Sequence, residues 1–113
     1  MKKLISALIV GAFCMSAASA ADVAKGENLV KKYNCAACHG ADYNKPIDPT
    51  YPKLAGQHAD YLAHALRAYK RGNGTNGRVN PIMAAQVQPL SNQDMADIGA
   101  YLASLPSQLV TSK

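Results

Sequence analysis

The stretch Cys35-Ala36-Ala37-Cys38-His39 decides how the rest of the chain is read. On a helical turn, Cys35 and Cys38 fall at i and i+3 on one face, and the imidazole follows directly. Two thiols facing one edge of a planar macrocycle, with a histidine ring standing under its metal, form the attachment signature of covalent haem. Cys35 and Cys38 add to the vinyl groups as thioethers, and His39 ligates the iron from one side. Three other readings use the same residues. A thioredoxin-like pair requires a βαβ setting, and no segment here shows strand alternation. A Cys35–Cys38 disulfide closes a small, strained loop and gives His39 no role. Zinc needs four ligands; Cys35, Cys38 and two of His39, His58 and His64 supply them without a second CxxC or an HxxxH pairing to support the site.

Upstream of the motif, residues 1–20 read as a cleaved secretory signal peptide. Lys2 and Lys3 are its basic start, residues 4–13 its apolar centre and Ala18-Ser19-Ala20 its small-residue cleavage site. The apolar run is shorter than a membrane span and dissolves into Ser and Ala, so no stable membrane insertion is expected. Cys14 follows Phe13 where a lipoprotein signal carries a small residue. Cleavage leaves residues 21–113 as a single domain in the periplasm, with two cysteines. The 113-residue chain carries a formal charge of +5 from 12 Lys+Arg and 7 Asp+Glu. Losing Lys2 and Lys3 leaves ten cations against seven acids, a formal +3. With export, this modest charge and six Tyr as the only remaining aromatics, nucleic acid is excluded as a partner.

Outward on both sides the chain reads as helices. Val23, Gly26, Leu29, Val30 and Tyr33 mark one face of a first helix over residues 22–33, with Gly26 permitting close approach of a partner. Pro46, Pro49 and Pro52 make the segment after the motif a loop. Tyr61, Leu62, Ala65, Leu66 and Tyr69 mark a second helix, stopped by Gly72. Residues 72–90, with Gly72, Gly74, Gly77, Pro81 and Pro89, read as a long loop without periodicity. A third helix starts at Ser91 as N-cap, with Asp94 completing a capping box and Leu90 stapling to Met95. Its buried face is Met95, Ile98, Tyr101, Leu102 and Leu105. These helices bury little among themselves, and a central macrocycle supplies the surface on which they close.

The second axial ligand is sought among soft donors. Residues 21–113 hold two methionines, Met83 and Met95. Met95 is explained as a staple and core position, whereas Met83 lies in the long loop, where packing explains nothing, so Met83 is assigned to the iron. His58 and His64 are the imidazole alternatives; His64 shares the charged side of the second helix with Asp60 and Arg67, and His58 stands at that helix's start.

The motif near the start of residues 21–113, the Gly-bearing first helix, the methionine in a Pro-bearing loop and the capped last helix with Tyr101 resemble class I c-type cytochromes. The likeness spans essentially all of residues 22–106. Tyr51-Pro52-Lys53-Leu54-Ala55-Gly56-Gln57 and the segment from Leu90 through Leu105 are similar to short monohaem bacterial periplasmic members and to single-haem halves of the two-haem kind. The resemblance implies an all-α fold, three to four helices and long loops around one covalently bound haem c. First and last helices are to cross near Gly26 and Tyr101, with His39 proximal, Met83 distal and the Pro52 carbonyl accepting from the His39 ring. Without Trp or a Phe after residue 20, Tyr43, Tyr51 and Tyr69 are left to line the haem. Four-helix-bundle cytochromes that bind gases carry CxxCH near the C-terminus, unlike this chain.

With both axial positions filled, iron has no open site, and the expected function is that of a one-electron carrier between periplasmic or membrane-bound partners, not an enzyme. Lys45, Lys53, Lys70, Arg71 and Arg78 are expected to ring the haem edge and steer acidic-surfaced redox partners toward a monomeric protein. A haem c subunit of a dehydrogenase or oxidase complex, and a five-coordinate gas-binding or peroxidase-like haem protein, are the alternatives.

Overall fold

Asp22 begins the first helix because its carboxylate accepts the Lys25 backbone N–H at 3.1 Å, satisfying an orphan donor of the first turn. The computed structural model describes residues 7–12 and 20–108, and all regular structure among them is helical. In chain order the helices are α1 (Val23–Lys32), α2 (Ala36–His39), α3 (Ala59–Arg71), α4 (Pro81–Val87) and α5 (Asn92–Ser104). The all-α expectation holds. Lys2, Lys3, Phe13, Cys14, Met15, Ala18 and Ser19 of the expected leader lie outside the described residues. Residues 7–12 carry no helix or strand, with Leu8, Ile9 and Val10 exposed. No helix among the described residues is long and apolar enough to cross a membrane.

The framework is α5 packed between α1 and α3. A Cβ added to Gly26 would stand 2.0 Å from the Asp97 carbonyl oxygen and 2.8 Å from the Tyr101 Cβ, so α1 meets α5 backbone to backbone, at the crossing expected from the resemblance. The Ser91 hydroxyl accepts the Asp94 N–H at 3.0 Å and the Asp94 carboxylate accepts the Ser91 N–H at 2.9 Å, a complete capping box. Leu90 and Met95 are both buried beside it. Asp97, 2% exposed, accepts the Asp22 N–H at 2.8 Å and the Gln93 side-chain amide at 2.9 Å, so α5 caps the start of α1.

Val30, Leu62, Val87, Leu90, Met95, Ile98 and Leu102 form the core with Tyr43 and Ala55 from the loop after α2. That loop is tied to the end of α5 and the segment after it. The buried Asn44 side chain donates to the Pro106 carbonyl at 3.0 Å and accepts the Gln108 N–H at 3.0 Å, while Gly56 N–H donates to Leu102 O at 2.9 Å.

Residues 72–90 are not the uninterrupted loop their glycines and prolines suggest. Asn80 accepts from the Ile82 and Met83 N–H groups, both at 3.0 Å, and Pro81 takes the first position of α4, where its missing N–H is not needed. Three longer helices are therefore joined by two short ones, one carrying the CxxCH motif and the other Met83.

Candidate functional site

The motif is built on a tight junction. Asn34 turns the chain through φ 52, Cys35 N–H donates back to Val30 O at 3.1 Å, and the single turn α2 follows. Cys35 O accepts from the Cys38 and His39 N–H groups at 3.3 and 3.1 Å, which places both cysteines on that turn. Gly40 ends it at φ 92, with a built Cβ 2.3 Å from Lys45 O, so only glycine allows the loop to fold back. Ile47 N–H then donates to Cys38 O at 3.0 Å and pins the returning strand of loop.

His39 is 7% exposed, and its Nδ1–H donates to the Pro52 carbonyl at 3.0 Å. That bond fixes the tautomer and the ring plane, and leaves Nε2, which no described residue bonds, as the basic nitrogen. The Tyr51 ring stands 6.2 Å from the imidazole, tilted by 47°. Cys35 and Cys38 are half-buried free thiols. Burial pushes the Cys35 thiol up, with Cys38 adding to the effect against the lowering influence of a backbone hydrogen bond. An electropositive redox dithiol has the opposite shift. No group of three or more His, Cys, Asp or Glu side chains among the described residues is placed to hold a metal ion.

Met83, third residue of α4, is half-buried and packs against the same core cluster that touches Cys35 and Ala36. Met95 lies in the core itself, 1% exposed, while His58 and His64 are both exposed. The donor set thus offers two adjacent thiols, an oriented imidazole with one free nitrogen, a thioether and an apolar surround. It fits a covalent haem and does not fit a hard, oxygen-liganded cation.

The tyrosines divide. Tyr43 is buried edge-on to Tyr101 at 6.4 Å, Tyr51 stands by His39, and Tyr69 is half-buried under Arg78. Burial, reinforced by Cys35 and Tyr101, pushes the Tyr43 hydroxyl up to about 12. Three of the five cations expected at the haem edge also make contacts within the chain. Lys70 donates to Leu90 O, Arg71 to Asn76 O at 3.1 Å, and Arg78 is stacked on Tyr61 and Tyr69. Lys45 and Lys53 are exposed. Sequence reasoning passed over Asp97 and the Arg78 stack. Asp97 precedes Tyr101 by four residues and so shares the face assigned to the core, a signal that was present; the stack joins separate segments and leaves no local pattern.

Compared with known proteins, residues 23–106 match the family model described as Cytochrome c. The chain is 41% identical over 85 residues to cytochrome c-554(548) of Halomonas halodenitrificans, covering 75% of this chain and 98% of that protein. It is 39% identical over 108 residues to cytochrome c4 of Stutzerimonas stutzeri, covering 91% of this chain and 50% of that protein. Among solved structures, reduced recombinant cytochrome c4 from Pseudomonas stutzeri superposes with a TM-score of 0.70 at 38% identity, over 80% of this chain and 48% of that one. The chain therefore spans nearly all of one relative and about half of the other.

Proposed function

Because the chain belongs to the cytochrome c family, whose members are electron-transfer proteins carrying covalent haem c, we propose that it binds one haem through its single CxxCH. Cys35 and Cys38 would hold it through thioethers, His39 and Met83 would ligate the iron, and Pro52 O orients the His39 ring. The observation that carries this reading is the His39 Nδ1–H bond to Pro52 O at 3.0 Å, which leaves the Nε2 lone pair free beside the motif turn.

When bound, the haem supplies a one-electron iron couple. The residues of this chain govern how it is held. Two covalent bonds from one short turn prevent its exchange. The Pro52 carbonyl holds the imidazole in one plane. The Met83 thioether, a soft donor, favours ferrous iron and raises the potential. Val30, Leu62, Val87, Leu90 and Ile98 form a dry core against which Cys35, Ala36 and Met83 pack, which would limit the dipoles that reorganise when charge changes. With His39 and Met83 both given to the iron, the group would exchange electrons without an open site for substrate. The carrier is a monomer working in the periplasm after removal of residues 1–20, and exchanges electrons with acidic-surfaced protein partners.

Optical spectra of the exported, haem-loaded protein test the assignment. The expected result is a low-spin spectrum with a long-wavelength sulfur-to-iron band that disappears in Met83→Ala while covalent haem remains. Prompt carbon monoxide binding by the unaltered reduced protein, or an unchanged ferric spectrum in Met83→Ala, overturns the Met83 assignment.

A further inference from the structure

A concave groove of about 200 Å³ runs along α3, lined by Tyr61, His64 and Arg71 of the helix and by Asn76 and Arg78 of the segment that follows. Arg78 is pinned there. Its guanidinium lies 5.7 Å from the Tyr61 ring centroid and 5.6 Å from that of Tyr69, one Nη is 3.5 Å from the Tyr61 hydroxyl, and its backbone N–H donates to Ala68 O at 2.9 Å. Of the five N–H donors of its guanidinium, those that meet the Tyr61 and Tyr69 hydroxyls are used, and the others remain for a ligand. Arg71 donates one N–H to Asn76 O at 3.1 Å and keeps the rest.

Neither guanidinium has a carboxylate partner. The one ion pair among the described residues is Lys31–Glu27, far along the chain on α1. Asp60, the acid of α3, is exposed near the helix start and pairs with neither arginine. Two fixed, unneutralised, planar donors facing one concavity, with a phenol and an imidazole on its wall, are the complement of a compact anion with oxygens pointing in several directions. We propose that this groove is a binding site for a divalent tetrahedral oxyanion of the sulfate class, held by Arg71 and Arg78. The two charges of the anion match the two guanidiniums, and the tyrosine stack fixes Arg78 before binding, which lowers the ordering cost.

The test uses the reduced, haem-loaded protein and sodium sulfate as probe, following the arginine side-chain N–H resonances. Saturable shifts at Arg71 and Arg78 are expected. Arg71→Gln and Arg78→Gln should each weaken binding by about tenfold, the loss of one charge-assisted contact. Arg78→Lys, which keeps the charge but not the planar fork, should not restore it. Arg71→Gln leaves the Arg78 stack in place, so its loss of binding is separable from unfolding of the turn. Shifts matched by sodium chloride at equal ionic strength, an equal response to acetate, or sulfate affinity unchanged in both glutamine variants would overturn the proposal.

Discussion

The Asp97 carboxylate of α5 accepts the backbone N–H of Asp22 at 2.8 Å, across 75 positions of sequence. Asp97 is 2% exposed, so this carboxylate is removed from water and relies on that N–H and on the Gln93 amide. Replacing it with alanine should cost about 2 kcal/mol, the worth of hydrogen bonds to a charged group. Asp97→Asn keeps an acceptor oxygen and should lose less. Denaturant unfolding of the haem-loaded variants measures both, and equal losses would show that the charge, not the acceptor, is what α1 needs.

Gly26→Ala places a methyl 2.0 Å from Asp97 O, backbone that cannot step aside without parting the helices. A loss of ~3 kcal/mol is expected, the upper part of the range for overpacking. A Tm within a degree of the parent protein would mean that the crossing is looser than described.

Ser91→Ala and Asp94→Ala each remove half of the capping box and should cost about 1 kcal/mol. Because the two bonds support the same turn, the double variant should cost less than the sum of the singles. A double-mutant cycle by urea denaturation checks this; strict additivity would indicate two independent contacts.

Tyr43 gives the alkaline dependence. Its hydroxyl is raised to about 12 in the folded protein, chiefly by burial, against an unfolded value of 10.0. Between those pH values the unfolded chain has released a proton that the folded chain still holds, so stability falls as pH rises through the interval. Conversion of Cys35 to a thioether removes only the secondary cause, and the direction persists. Tyr43→Phe should flatten the stability curve between pH 10 and 12, as followed by thermal melts.

Met83→His exchanges a soft thioether for an imidazole, which stabilises ferric iron. The midpoint potential should fall while the spectrum stays low-spin. Potentiometric titration reads the result, and an unmoved potential would separate Met83 from the iron.

Much of this arrangement was legible before the structure. The capping box at Ser91, the approach at Gly26 and the stop at Gly72 rest on contacts within a few residues or on a steric demand that one residue type meets. CxxCH is legible for the same reason, since a single turn carries it. What escaped depends on residues brought together from a distance. Pro81 reads as a breaker unless Asn80 is known to accept from the N–H groups behind it. The contacts of Lys70, Arg71 and Arg78 with Leu90, Asn76 and two tyrosines join separate segments, so a count of charges assigns these residues to the haem edge alone. Asn44 looks like a turn residue, and its role as a clasp on Pro106 and Gln108 appears only when its loop meets the segment after α5.

That clasp imposes an order of events. Asn44 closes on partners 62 and 64 positions downstream, and Asp97 on one 75 positions upstream, so neither closure exists until the last helix has been synthesised. Cys35 and Cys38 leave the ribosome well before that, and the long loops that must close make the native topology slow to form compared with a local turn. The thiols consequently pass through an interval in which their turn can exist while the walls around it do not. Closure by Asn44 and Asp97 is thus the late event, and the motif turn, held by its own backbone bonds from Asn34 to Gly40, is the early one.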